Sequence, residues 1–274
     1  MASSDDYIST GRDLFSLSRV QTRYIYDRVQ TLLVPALKRE ASERELKRIL
    51  RGIQSGFDKK FSVDFNDVET QRIVTKLSRR VDREINNQLK KASIPIAMEG
   101  RKFLKRVSSV RKDSATSMAL KLDGISKKVF DRLTEGIERA AQSGEYGEVL
   151  KDFNKSPRTK RTKGQLSTIF QRAGFEGKVL AIDETGTIAA ELTKKKMLDN
   201  KVLLYKWRTQ GDKKVRPTHS NLSNNIYTVD GQPHQVKGKQ YRGAIDPAYS
   251  SEPIIPREAF NCRCWAIPVN PKDL

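Results

Sequence analysis

The sequence predicts an α+β protein, with a long, mainly α-helical N-terminal part followed by a small, turn-rich α+β module of short antiparallel strands. Three observations carry that expectation. Up to about residue 200, apolar residues recur three or four apart, the period of a helix with one buried face. After Asn200 the run Val202-Leu203-Leu204-Tyr205-Lys206-Trp207 has the β-branched and aromatic content of a strand. Most of the ten prolines fall between Pro217 and Pro271, where they favour turns and short extended segments over helix.

The elements follow in order. Leu17, Val20, Tyr24, Tyr26, Val29, Leu32 and Leu33 predict a first helix that Pro35 interrupts. Ser42 and Glu45 form a capping box for a second helix, whose stripe of Leu46, Ile49, Leu50, Ile53 and Phe57 runs toward a break at Gly56. Asn66 or Asp67 can cap a third helix carrying Val74, Leu77, Val81, Ile85 and Leu89, which ends before Ser93-Ile94-Pro95. The strictest period is Met118, Leu122, Ile125, Val129, Leu133, Ile137 and Ala140, a helix-packing seam. From Gly177 another helix presents Val179, Ile182, Thr185, Ile188, Ala189 and Leu192, and Lys194 to Lys196 near its end complement the macrodipole. Asn225 to Val229 reads as a strand entering a tight turn at Asp230-Gly231.

These elements imply three parts: an α-helical domain over 1–160, connecting helices over 161–200, and a C-terminal module over 201–274. The boundary lies between Gly144 and Gly164, which contains Gly144, Gly147, Pro157 and Gly164. Its basic side chains Lys155, Arg158, Lys160, Arg161 and Lys163 fit a solvated linker, and they fit equally a loop that contacts a polyanion. The interleaved aromatics that stack bases are missing there, which argues against sequence-specific single-strand recognition.

Lys and Arg number 53 against 33 Asp and Glu, a formal net charge of +20. Such an excess favours an anionic partner, nucleic acid or an acidic protein surface, although charge spread along solvated helices gives the same sum. The polar, acidic start Met-Ala-Ser-Ser-Asp-Asp does not resemble a signal peptide, and no apolar run approaches the ~20 residues that cross a bilayer. The expectation is a protein that acts in a cytoplasm, or in something assembled there, with no membrane partner.

The chain has only two histidines and two cysteines, and all four fall between His219 and Cys264. Cys262 and Cys264 are one residue apart, so a disulfide between them would close a small strained ring; free thiols or metal-bound thiolates are expected. Two sulfurs from one turn, with His219 and either His234 or Asp212, would complete a tetrahedral zinc site, a structural ion of the kind that stabilises a thin-cored module. The alternative makes the cysteines small buried hydrophobes beside Trp265, with His219 hydrogen-bonded to Asp212. Cys262 or Cys264 with His219 and Asp212 also contains the parts of a thiol nucleophile, its base and an orienting carboxylate. Arg216 and Arg263 lie within the same pattern, as internal ties or as grips on a carboxylate.

The residues Trp207, Thr209, Asp212, Val215, Arg216, His219, Asn261, Cys262, Arg263 and Cys264 stand in a spacing that resembles the Mu F-like minor head proteins of tailed bacteriophages, the phage head morphogenesis family. In that family, as the resemblance implies, an aromatic-x-Thr-x-x-Asp-x-x-Val-Arg-x-x-His segment precedes a Gly/Pro-rich loop and an Asn-Cys-Arg-Cys turn before the final strand. The likeness covers roughly residues 180 to 270. It implies a structural, non-enzymatic minor head protein of the virion, assembled in the host cytoplasm in multiple copies. Its implied partners are the portal protein or the major capsid protein, with packaged DNA close by. The segment Asn221 to Asn225 departs from the glycine turn that relatives often carry after the histidine.

Overall fold

The structure is a computed structural model that describes residues 5–147, 165–213, 215–259, 262 and 264–274. The helices are α1 (Asp5–Arg28), α2 (Val34–Lys38), α3 (Glu43–Lys60), α4 (Val63–Lys91), α5 (Gly100–Arg106), α6 (Ser108–Ser143), α7 (Gln165–Asp199) and the short α8 (Pro217–Leu222). The strands are β1 (Leu204–Arg208), β2 (Ile226–Thr228), β3 (His234–Val236), β4 (Lys239–Tyr241) and β5 (Trp265–Pro268). The fold is α+β, with helices leading and short antiparallel strands at the C-terminal end. Among the described residues no helix is long and apolar enough to cross a membrane.

The chain forms two compact units, one from Met1–Arg12, Gln71–Ala115 and Ala181–Leu274, the other from Asp13–Thr70 and Thr116–Leu180. The second unit is helical. Its core joins Ile25, Val29, Leu33 and Leu37 to Leu46, Leu50, Ile53 and Phe57 and to Ile125, Val129, Leu133 and Ile137. Rings of Tyr24, Phe57, Phe61 and Phe130 meet edge to face or tilted, with centroids 5.0–6.2 Å apart. The strict period from Met118 to Ala140 is buried at every position, as a packing seam requires.

Local departures from the sequence expectations have identifiable causes. The buried stripe of α1 and the turn that follows it is Leu14, Ser18, Gln21, Ile25, Val29 and Leu33, whereas Val20, Tyr26 and Leu32 face outward. Gln21 Nε2 donates to Asn66 Oδ1 at 2.6 Å, so a satisfied polar pair occupies what an apolar count assigns to other residues. Pro35 does not end the helix. A π turn over Val29–Leu33, in which Val34 N–H reaches Val29 O, lets the backbone pass the proline into α2. Ser42 caps α3 as expected, its hydroxyl accepting from Glu45 N–H at 3.3 Å, and the helix continues through Gly56 to Lys60. The side-chain cap of α4 is Ser62, which accepts from Phe65 N–H at 3.2 Å; Asn66 and Asp67 lie inside the helix. Helix α7 begins well before Gly177, a position where a Cβ would collide with Ser18.

In the first unit, α4 contributes Val74, Leu77, Val81, Ile85 and Leu89 to the core, and α7 contributes Ile188, Ala189, Leu192 and Met197. Lys196 is fully buried. Its ammonium donates to Asp82 Oδ1 at 2.6 Å and to Met98 O, and it lies 4.9 Å from the Phe103 ring centroid. Asn200 caps the same segment, accepting from Ala97 and Met98 N–H at 2.7 and 3.0 Å. Thus one member of the Lys194–Lys196 triplet is an internal anchor as well as a charge at the helix end.

Strand β1 is the centre of a three-stranded antiparallel sheet of order β2-β1-β5. Its register pairs Tyr205 with Tyr227 and with Pro268, and Trp207 with Ala266. Strands β3 and β4 form a separate hairpin closed by Lys237 and Gly238, both at positive φ, the geometry of a type I′ turn. The expected turn at Asp230-Gly231 is present, with Asp230 Oδ1 accepting from Gln232 N–H at 3.0 Å.

Candidate functional site

The site sits in the strand-rich part of the first unit and is assembled from three segments. Helix α8 supplies His219. It is only one and a half turns long, with Pro217 in its first turn, where a missing N–H costs nothing. The approach to β5 supplies Cys262 and Cys264, and the loop after β4 supplies Asp246. His219, Asp246 and Cys264 are buried, and Cys262 is half-buried.

The imidazole is held on both edges. Its Nε2 is 2.8 Å from Asp246 Oδ2, while Nδ1 is 3.5 Å from Cys262 Sγ and 3.4 Å from Cys264 Sγ. The Trp207 ring meets the imidazole edge to face at 5.4 Å. Asp246 is fixed in turn: its Oδ1 accepts from Ala248 N–H at 3.1 Å, and its carbonyl accepts from Tyr249 and Ser250 N–H. A carboxylate accepting at Nε2 selects the tautomer with its proton there and leaves the Nδ1 lone pair facing the two sulfurs.

The sulfurs differ. Cys262 Sγ accepts from Arg257 N–H at 3.2 Å and from Cys264 N–H at 3.4 Å. Arg257 reaches that position with φ of 80°, an uncommon conformation for a residue with a side chain, and its guanidinium Nε donates to Cys264 O at 3.2 Å. The hydrogen bond from Cys264, then those from His219 and the Cys264 backbone, lower the Cys262 thiol pKa against the opposing effect of burial. Cys264 moves upward, because the Cys262 sulfur beside it and burial both disfavour a second negative charge. The hydrogen bond with Cys262 raises His219, reinforced by Asp246 and opposed by burial. The cluster therefore favours one negative charge, on Cys262, and disfavours a second on Cys264.

Among the described residues, His219, Cys262 and Cys264 form one group whose ligand atoms all lie within 4.8 Å of one another. His234 stands on β3, where its Nε2 is 2.7 Å from Asp230 Oδ2. Asp212 is exposed in the loop after β1, where its carbonyl accepts from Val215 N–H at 3.0 Å. The carboxylate hydrogen-bonded to His219 is Asp246, in place of the Asp212 that the sequence reading pairs with it. Asp246-Pro247, inside a Gly/Pro-rich loop, was the available signal: an Asp before a proline favours a turn that its side chain stabilises. Trp207 is buried on β1, Thr209 Oγ1 is 3.3 Å from Ser223 Oγ, and Arg216 is the N-cap residue of α8. Asn261 and Arg263, and the basic residues Lys155, Arg158, Lys160, Arg161 and Lys163, lie outside the described residues.

Comparison with known families matches residues 123–267 to the model described as Phage Mu protein F like protein. No curated protein and no solved structure gives a match.

Proposed function

The chain belongs to the Phage Mu protein F like family, and from that membership we propose that it is a minor head protein acting in phage head morphogenesis and carried in the virion. The observation that supports this reading is the family match over 123–267, which runs from within the helical seam to the strand-rich segment holding the His/Cys cluster. In this reading residues 201–274 are the module that docks on the portal or on the inner capsid, 161–200 connect it, and 1–160 form the helical part.

The cluster acts as a strut rather than as a catalyst. Cys262 and Cys264 share a single imidazole nitrogen, so the second sulfur stands where a thiol enzyme needs room for its substrate. Arg257 belongs to the same scaffold, its guanidinium fastening the β5 approach through Cys264 O.

The test is co-sedimentation. Full-length protein expressed with the head proteins should travel with portal-containing particles through a density gradient, several copies per head. Protein that stays at the top of the gradient while heads form and band normally would overturn the reading.

A second reading rests on the net charge of +20. It makes the chain a DNA-contacting component of the head, with the packaged genome as its polyanion. This is an addition to the head role, and it requires an affinity for DNA that falls steeply with salt.

A further inference from the structure

We propose that His219 Nδ1, Cys262 Sγ and Cys264 Sγ bind a zinc ion, with Asp246 holding the imidazole from its far side. The site goes beyond the head-assembly role and stands on geometry alone.

The first argument is distance. With Zn–N near 2.0–2.1 Å and Zn–S near 2.3 Å, the nitrogen-to-sulfur edge of a tetrahedron is about 3.6 Å. The two nitrogen-to-sulfur distances are 3.5 and 3.4 Å. An ordinary packing contact would not require both sulfurs to approach the same lone pair. The second argument is tautomer. Asp246 Oδ2 at 2.8 Å fixes the proton on Nε2, which is the carboxylate–histidine–metal arrangement that orients a ligating ring. The third is charge. Arg257 and Cys264 direct backbone N–H groups at Cys262 Sγ, which is how a thiolate ligand is stabilised when it is taken out of water.

Soft thiolates with one imidazole select zinc over magnesium or calcium, which prefer oxygen. On binding, two thiolate–metal bonds form, the protons that the cysteines and the imidazole Nδ1 still hold pass to solvent, and that nitrogen donates its lone pair, so no oxidant or reductant is needed. Three protein ligands leave a fourth position, and Cys262 is the half-buried one of the three. Water or a donor from a neighbouring head protein can fill it.

The experiment uses the full chain purified without added chelator. Elemental analysis should give about one zinc per chain, and exchange with cobalt(II) should produce a thiolate-to-cobalt charge-transfer band with the strong visible bands of a tetrahedral site. Asp246→Asn should weaken zinc affinity by about 10- to 100-fold in a competition with a chromogenic chelator. His234→Ala and Asp212→Ala should leave zinc content and the cobalt spectrum unchanged. Three results would overturn the proposal: folded wild-type protein that binds no metal and shows two titratable thiols, a Cys262–Cys264 disulfide by mass, or full zinc retention in Cys262→Ser/Cys264→Ser. Because metal is read on the isolated protein, its absence leaves the gradient test of the head role intact.

Discussion

At the scale of single residues, the strongest local dependence is on Lys196. Its ammonium is fully enclosed and faces Asp82, whose other oxygen accepts from Gly100 N–H at 2.9 Å. Lys196→Met keeps the length of the side chain but leaves Asp82 without its counter-ion. Breaking one side of a buried pair costs about 3–5 kcal/mol, so denaturant unfolding should show a loss of that order. A loss below about 1 kcal/mol would mean that water reaches the pair. Tyr205 offers a test by pH. It is buried, its hydroxyl donates to Ile254 O at 3.1 Å, and burial, with Tyr227 and Glu258 nearby, raises its pKa well above the usual value. A raised folded pKa favours the neutral phenol. The stability it supports is therefore complete below the unfolded value of about 10 and is lost as pH rises beyond it. Tyr205→Phe should cost about 0.5–1.5 kcal/mol at neutral pH and flatten the alkaline fall in unfolding temperature. A fall of equal steepness in the variant would assign it to other groups.

At the scale of elements, helices in the second unit approach closely at Gly177. A Cβ built there would lie 2.9 Å from Ser18 Cβ and collide with its hydroxyl. Gly177→Ala should destabilise the protein by about 1–3 kcal/mol, as overpacking does, and Ser18→Gly in the same chain should recover most of the loss. If the double variant is no better than the single one, the cost comes from the backbone of α7 and not from the contact. The capping of α3 is a smaller effect of the same order as other N-caps. Ser42→Ala should remove about 0.5–2 kcal/mol, measured by thermal unfolding. Elements also mark the limits of pattern reading. The seam of α6 was legible because every residue at its spacing is apolar. The face of α1 was not, since two of its buried positions are Ser18 and Gln21, and Gln21 becomes compatible with a core only when Asn66 and Ser126 supply partners.

At the scale of the whole molecule, the charge of +20 is the property that most affects encounters with other components. If the chain contacts packaged DNA, affinity for a random-sequence duplex should fall linearly on a log–log plot against salt, with each neutralised phosphate adding about −0.9 to the slope. Fluorescence anisotropy across a salt series would measure it. A flat response would confine the excess charge to acidic protein surfaces or to solvent. The family also acts at this scale, since the match covers residues of both compact units.

The sequence by itself determined the fold class, the period of the main helix seam, the change of character after Asn200 and the family. Each of these depends on local spacing or on residue types fixed along one segment, which the backbone period converts directly into structure. Only the tertiary structure decided which carboxylate faces His219, that both sulfurs approach the same nitrogen, and that Lys196 turns inward to Asp82. Asp246 and His219 are 27 residues apart, and Lys196 and Asp82 are 114 apart. No periodicity connects positions so separated; the physical link is the packing of the elements between them, which brings a buried charge to its counter-ion.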